Sequence, residues 1–312
     1  MTKESLEGIL PVWKPQGFTS HDVVAKVRRI LKIKRIGHTG TLDPQVTGVL
    51  PLCIGRATRL VEYIQELPKE YEATLKIGFA TDTEDAGGQV IERTEKQVEL
   101  TEEQVRSTVL SFVGEIQQVP PMYSAVKVDG KRLYELARQG LEVERKSRTV
   151  TIHGIQILQM DLDQEYPEVR FRVQCSKGTY IRTLCVDIGK ALGYPAVMSE
   201  LVRTSTGSIR PEQCLTLEQI EQLQQQGMLA DKLIPGEQAI AHMPSVHLNE
   251  MQTKKAFLGQ KLIVQPPAEQ RRDDADESGS KLYAAYGSDS RFIGIFEWNL
   301  VNGELLPVKV FS

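Results

Sequence analysis

Residues 37–60, GHTGTLDPQVTGVLPLCIGRATRL, set Leu42-Asp43-Pro44 between two glycines, Gly40 and Gly48. Glycine reaches backbone angles that other residues resist, and Asp-Pro initiates turns, so this stretch taken alone reads as a turn. Before it, HDVVAKVRRILKI (21–33) places Val23, Val24, Val27, Ile30 and Leu31 on one stripe, with Lys26, Arg28, Arg29 and Lys32 mostly elsewhere. That spacing predicts a basic amphipathic helix with Ser20 as its N-cap. After it, Leu60, Val61, Ile64 and Leu67 repeat the helical period until Pro68 stops it. YEATLKIGF (71–79) then alternates apolar and polar residues as a strand with one buried face, opened by Tyr71.

Further along, TDTEDAGG (81–88) reads as a loop, and Thr101 with Gln104 offers a capping box for a helix to about Val113. Residues 118–148 read as an excursion from the core: an extended lead, a turn at Asp129-Gly130 and a short helix ending at Gly140. Residues 149–158 and 169–175 are strand-like, and a helix is expected over 180–192, with Gly193 as its terminator and Arg182 off its apolar stripe. A last helix near 216–226 precedes a change of composition at Leu233-Ile234-Pro235-Gly236. KLYAAY, RFIGIFEW and LLPVKVF then suggest a small β domain, within which 265–280 is too polar to pack and reads as a mobile loop.

A chain of 312 residues exceeds the usual size of one hydrophobic core, so two domains are expected, 1–233 and 234–312. No apolar run approaches the roughly 20 residues of a membrane span, and the N-terminus does not read as a secretory signal. Cys53, Cys175, Cys185 and Cys214 form no C-x-x-C pair, which argues against zinc and disulfides and fits a reducing cytoplasm. The net charge of −3 hides segregation: residues 1–60 hold ten Lys/Arg against four Asp/Glu, residues 170–210 hold seven against two, and residues 82–103 are acidic. Such segregation suits a protein that meets a polyanion on one face.

Residues 37–60 resemble the signature of the TruB family of pseudouridine synthases, G-H-x-G-T-L-D-P-x-A-T-G-V-L, with Val46 standing where the family has a small residue. Other blocks are similar in the same order: WKPQGFTSHDVV (13–24), KEYEATLKIGFATDTEDAGG (69–88), QVPPMYSAVKVDGKRLYELAR (118–138), KGTYIRTLCVDIG (177–189) and LVRTSTG (201–207). The resemblance implies an α+β fold, a mixed, largely antiparallel sheet flanked by helices, with a C-terminal PUA-like β-barrel. It makes 1–233 the catalytic domain, with an RNA-binding insertion at about 118–148, and 234–312 the RNA-holding one.

The implied reaction turns uridine into pseudouridine, at position 55 of the tRNA T-arm, with neither metal nor cofactor. The resemblance makes Asp43 the catalytic carboxylate, with Arg182 beside it as the counter-charge that an ionised acid needs. The target nucleotide must leave its stack, at a cost of roughly a few kcal/mol. Tyr71 then lies against the uracil, and such an aromatic platform is worth about 1–3 kcal/mol per base. His38 helps to fill the gap left behind, Leu201 walls the pocket, and Tyr180 joins it. Lys14 and Pro15 brace the active-site loop, with Lys14 also counted among the substrate-binding residues, and Lys177 and the basic groups of 127–148 are candidates for phosphate contacts. A cytoplasmic monomer without an obligate protein partner is expected. Two other readings stay open: a guide-RNA-dependent relative within a ribonucleoprotein, and an RNA-binding or RNA-folding protein.

Overall fold

Alternating apolar residues between positions 8 and 206 build one large sheet with helices on both faces, and the chain then makes a second, smaller sheet. The computed structural model describes residues 6–95, 97–128, 130–264, 280–299 and 301–311. The first part of the chain forms β1 (Gly8–Lys14), α1 (Ser20–Leu31), β2 (Ile36–His38), β3 (Thr47–Ile54), α2 (Val61–Glu66) and β4 (Lys69–Ile77). Next come a side hairpin of β5 (Phe79–Thr81) and β6 (Val90–Arg93), then α3 (Glu102–Ser111) and β7 (Gly114–Gln118). The excursion holds β8 (Lys127–Val128), β9 (Lys131–Arg132) and α4 (Leu133–Ala137). Then follow β10 (Arg148–Asp161), β11 (Glu168–Cys175), α5 (Ile181–Leu192), β12 (Ala196–Thr206) and α6 (Leu217–Gln226).

The sheet order is β1-β3-β12-β4-β11-β10-β7, with β2 also on β3. β12 runs parallel to β3 and the other neighbours run antiparallel, as the mixed, largely antiparallel expectation requires. On one face Leu75, Phe171, Val173, Leu184 and Ile188 form a core under α3 and α5. A second core packs α1 and α6, through Val23, Val27, Leu217 and Ile220, on Leu10, Leu50 and Leu52.

The last segment forms α7 (Gly236–Ala239), β13 (Ser245–His247), α8 (Glu250–Phe257), β14 (Leu262–Ile263), β15 (Ser280–Tyr286), β16 (Phe292–Asn299) and β17 (Glu304–Val310). Its sheet, ordered β13-β15-β16-β17-β14, curls into a half-barrel around Tyr283, Phe296, Trp298 and Leu305. A shared core, including Ile9, Cys53, Leu60, Ile64, Ile240, Ala284 and Ile295, joins this unit to the large sheet across residue 234. Among the described residues no helix is long and apolar enough to cross a membrane.

Several boundaries shift for local reasons. The N-cap of α1 is Thr19 rather than Ser20: the Thr19 hydroxyl accepts from the Asp22 amide, and the Asp22 carboxylate accepts from the Thr19 amide. The helical signal over 58–67 begins as a 3-10 turn, Gly55–Leu60, before α2. β4 starts at Lys69, two residues ahead of Tyr71, because Lys69 is already paired with Cys175 and Thr206 on its two sides. The capping box Thr101/Gln104 is present, but its helix ends at Ser111. Of the expected turn Asp129-Gly130, Gly130 lies between β8 and β9 with φ 82, and Asp129 is outside the described residues. Residues 265–279 of the expected mobile loop are also outside them.

Gly48 follows from the parallel pairing. It sits opposite Arg203 with φ 119, and a Cβ there would come within 2.2 Å of the Arg203 carbonyl oxygen. Gly17, with φ 83, has nothing within 4 Å of such a Cβ. Gly48→Ala is therefore expected to cost more than about 2 kcal/mol, and Gly17→Ala about 1 kcal/mol, in thermal or urea unfolding. Equal losses would show that the β3–β12 contact is not tight.

Candidate active site

The loop from His38 to Thr47, joining β2 to β3, carries Asp43 to a cavity of about 320 Å³. This lies at the lower end of the roughly 300–1,000 Å³ usual for small-ligand sites. The lining comes from separate elements: Asp43 from the loop, Tyr71 from β4, Ser124 from the excursion, Tyr180 and Arg182 from the start of α5, and Leu201 and Arg203 from β12. A cleft of about 960 Å³ opens between the N-terminal strand and the C-terminal unit. Size does not make it the site, since its Arg56 and Glu7 already pair with each other at 2.7 Å.

Within the smaller cavity the arrangement is asymmetric. Arg182 Nη2 lies 3.0 Å from Asp43 Oδ2, yet the Arg182 side chain is 5% exposed and that of Asp43 44%. The guanidinium is fixed from behind: Nη1 donates to the Thr83 carbonyl and Nη2 to the Tyr123 carbonyl, both at 2.8 Å. Thr83 and Tyr123 belong to the acidic loop and to the excursion, so two distant segments converge on one side chain. Arg182 falls off the apolar stripe of α5, as its spacing implies, and is nevertheless buried, because those loops fold over the start of the helix.

The Asp43 loop is braced by the segment 14–20. Lys14, fully buried, donates from Nζ to the Pro44 carbonyl at 3.1 Å and to the Pro15 carbonyl at 2.9 Å. The Gly17 amide also donates to Pro44 O, at 2.9 Å. The Ser20 hydroxyl accepts from the Leu42 amide at 2.9 Å, which explains why Thr19 is left to cap α1. Lys14 thus sits behind the loop, enclosed, where it braces the main chain beside Asp43.

Residues 28–181 match the family described as TruB family pseudouridylate synthase (N terminal domain), and residues 182–241 match tRNA pseudouridylate synthase B C-terminal domain. The sequence is 49% identical over 296 residues to tRNA pseudouridine synthase B of Halalkalibacterium halodurans, covering 92% of this chain and 96% of the relative. The chain belongs to the TruB family. To tRNA pseudouridine synthase B of Bacillus licheniformis it is 52% identical over 254 residues, covering 81% of this chain and 82% of the relative. Among solved structures, a chain from "Structure of H/ACA RNP bound to a substrate RNA containing 2'-deoxyuridine" superposes with a TM-score of 0.73 at 27% identity, covering 98% of this chain and 86% of that one.

Of the residues that the TruB resemblance singled out, Asp43, Tyr71, Lys177, Tyr180, Arg182 and Leu201 line one cavity. His38 does not line it: its Nδ1 accepts from the Gly40 amide at 3.3 Å, and its ring stands edge-on to His21, with centroids 5.3 Å apart. Lys177 is at the rim and ion-paired with Glu66. Arg148 lies 4.9 Å over the Tyr180 ring, and Gln118 holds the Tyr180 main chain in both directions, at 2.8 and 3.0 Å. Sequence reasoning missed Arg203, Lys69 and Ser124. For Arg203 a signal existed: it is two residues from Leu201 on a strand, hence on the same face.

Charge dominates this interior. Burial lowers Lys14 and Lys69 to about 8 each, with the nearby Arg203 charge adding to the effect. Burial raises the Tyr71 hydroxyl, an effect that Arg203 partly offsets. Asp43 is the one carboxylate among the lining residues, against the cations Lys69, Lys177, Arg182 and Arg203. Among the described residues no group of three or more His, Cys, Asp and Glu is placed to hold a metal ion.

Burial, then the charges of His21 and Arg203, lower His38 to about 4. Its folded value thus lies below the unfolded value of about 6.5. The unfolded chain binds the extra proton between those values, so His38 contributes stability that is present above pH 6.5 and lost as pH falls towards 4. Between pH 6.5 and 4, wild type is expected to lose more unfolding free energy than His38→Asn, which keeps an acceptor for Gly40. Parallel pH profiles of the two proteins would refute this.

Proposed function

We propose that this chain isomerises uridine to pseudouridine in tRNA, at position 55 of the T-arm loop, with Asp43 as the catalytic carboxylate and the target nucleotide flipped out of its stack. The observation that carries the reading is the pairing of a half-exposed Asp43 with a buried, carbonyl-anchored Arg182 at 3.0 Å, in a cavity that Tyr71 also lines. The reaction breaks the bond between ribose C1′ and N1 and makes one between C1′ and C5, so it is redox-neutral. It asks the protein for one oriented carboxylate, a surface on which uracil can turn, and exclusion of water. Asp43 supplies the first, held by a donor that does not have to reorganise. Tyr71 and Leu201 supply the second. The curated relatives named tRNA pseudouridine synthase B support tRNA as the substrate class.

A second reading, a guide-dependent enzyme inside a ribonucleoprotein, draws on the likeness to a chain from an H/ACA particle. One assay separates the two. Purified protein alone, given an unmodified tRNA transcript tritiated at uracil C5, is expected to release tritium. Asp43→Asn should lower the rate on the order of 10³-fold or more, and Arg182→Met should fall towards the same level at neutral pH. Tyr71→Ala should lose turnover with a modest loss of affinity. Release only after addition of guide RNA and partner proteins would favour the second reading, and tight binding without release would leave an RNA-binding protein.

A further inference from the structure

Arg203 is 1% exposed, and its guanidinium bonds backbone carbonyls: Nε donates to Val49 O at 2.6 Å and Nη2 to Gly40 O at 3.2 Å. These two acceptors stand on either side of Asp43 in the chain, one before the turn and one at the start of the strand that leaves it. The main chain of Arg203 is also central, since β12 lies between β3 and β4. Arg203 is opposite Gly48 on one side and opposite Tyr71 on the other. Residues opposite each other on adjacent strands project to the same face, and Arg203, Tyr71 and Asp43 all line the one cavity.

Stability alone gives a poor reason for this residue. A guanidinium out of water is expensive unless a carboxylate compensates it, and Arg203 bonds neutral carbonyls while its charge acts against the buried amines of Lys14 and Lys69. An apolar residue of similar size is the economical solution for a merely packed strand. What an arginine adds is a rigid fork with several donors, able to hold two loop carbonyls and lie against a phenol at once.

We propose that Arg203 is a positioning residue for the isomerisation: it ties both arms of the Asp43 loop to the strand facing Tyr71 and so sets the placement of the Asp43 carboxylate relative to the Tyr71 ring. The inference rests on the functional reading given above, and it assigns Arg203 no contact with substrate. Displacements of about 1 Å in such an arrangement cost rate on the order of 10²-fold, because they spoil orientation more than affinity.

The test is a double-mutant cycle in single-turnover tritium release, using the full chain and a tRNA transcript. Arg203→Lys keeps the charge and shortens the fork, and Arg203→Gln keeps a donor without the charge; each is made alone and with Tyr71→Phe. The expected result is a rate at least about tenfold below wild type in both single Arg203 variants, with the RNA concentration at half-maximal rate within about threefold. Combining either with Tyr71→Phe should reduce the rate less than the product of the single effects, since both act on one arrangement. Amide hydrogen exchange over 40–48 should quicken in the same variants. Wild-type rates in Arg203→Lys, multiplicative effects in the cycle, or two variants that are both unfolded at 25 °C would overturn the proposal. If wild type itself releases no tritium, the functional reading fails, and faster exchange over 40–48 in the Arg203 variants then tests the loop tie by itself.

Discussion

The burial of the Arg182 guanidinium is the constraint on which the rest of the site depends. A cation taken out of water must be met by fixed acceptors, and here they are the Thr83 and Tyr123 carbonyls and the Asp43 carboxylate. Each acceptor lies on a different segment, so the charge cannot be satisfied until the acidic loop, the excursion and the Asp43 turn have all docked. The side chain that pairs with the acid is thereby also the one on which three segments of the cavity wall converge. The acidic loop is in turn held to the core: the Thr183 hydroxyl donates to Glu84 at 2.6 Å, and the Met198 amide donates to the Glu84 carbonyl at 3.2 Å.

Around this centre the turn that carries Asp43 is held by hydrogen bonds on one side and by close strand packing on the other. Lys14, Gly17 and Ser20 grip it from one side, and Gly48 lets β12 approach it from the other. The Lys14, Gly17 and Ser20 contacts are hydrogen bonds between sequence-distant residues, individually modest, but together with the close β12 approach they restrain an otherwise flexible Asp-Pro turn. An acid held in this way has little conformational entropy left to lose on meeting a ligand.

The C-terminal unit is attached through packing rather than through a bare tether. Arg59 lies 5.4 Å over the Phe311 ring, Lys309 reaches the Arg59 carbonyl at 3.1 Å and pairs with Glu62, and Ile9 exchanges main-chain bonds with Ile234 at 2.8 Å. A continuous apolar core between the two units makes their relative placement part of the fold.

Much of this was legible in the chain. The stripes of α1 and α5, the Thr101 capping box and the β-prone pieces after residue 233 are local patterns, and each became the element it predicted, because side-chain spacing and capping chemistry act within one turn or one strand; the strand expected over 71–79 instead ends at Ile77, where Gly78 at φ 119 passes Phe79 to the side hairpin. The ordered blocks also pointed to Asp43, Tyr71, Arg182 and Leu201 as a set. What only the tertiary structure decided are matters of long-range approach: that Lys14 is enclosed behind the turn, that His38 stands outside the cavity, that Arg182 is buried although it is off its helix's apolar stripe, and that Arg203 ties loop to sheet. Those outcomes depend on which carbonyls from sequence-distant loops come within about 3 Å of a cation. No local periodicity encodes that distance, and only the completed packing sets it.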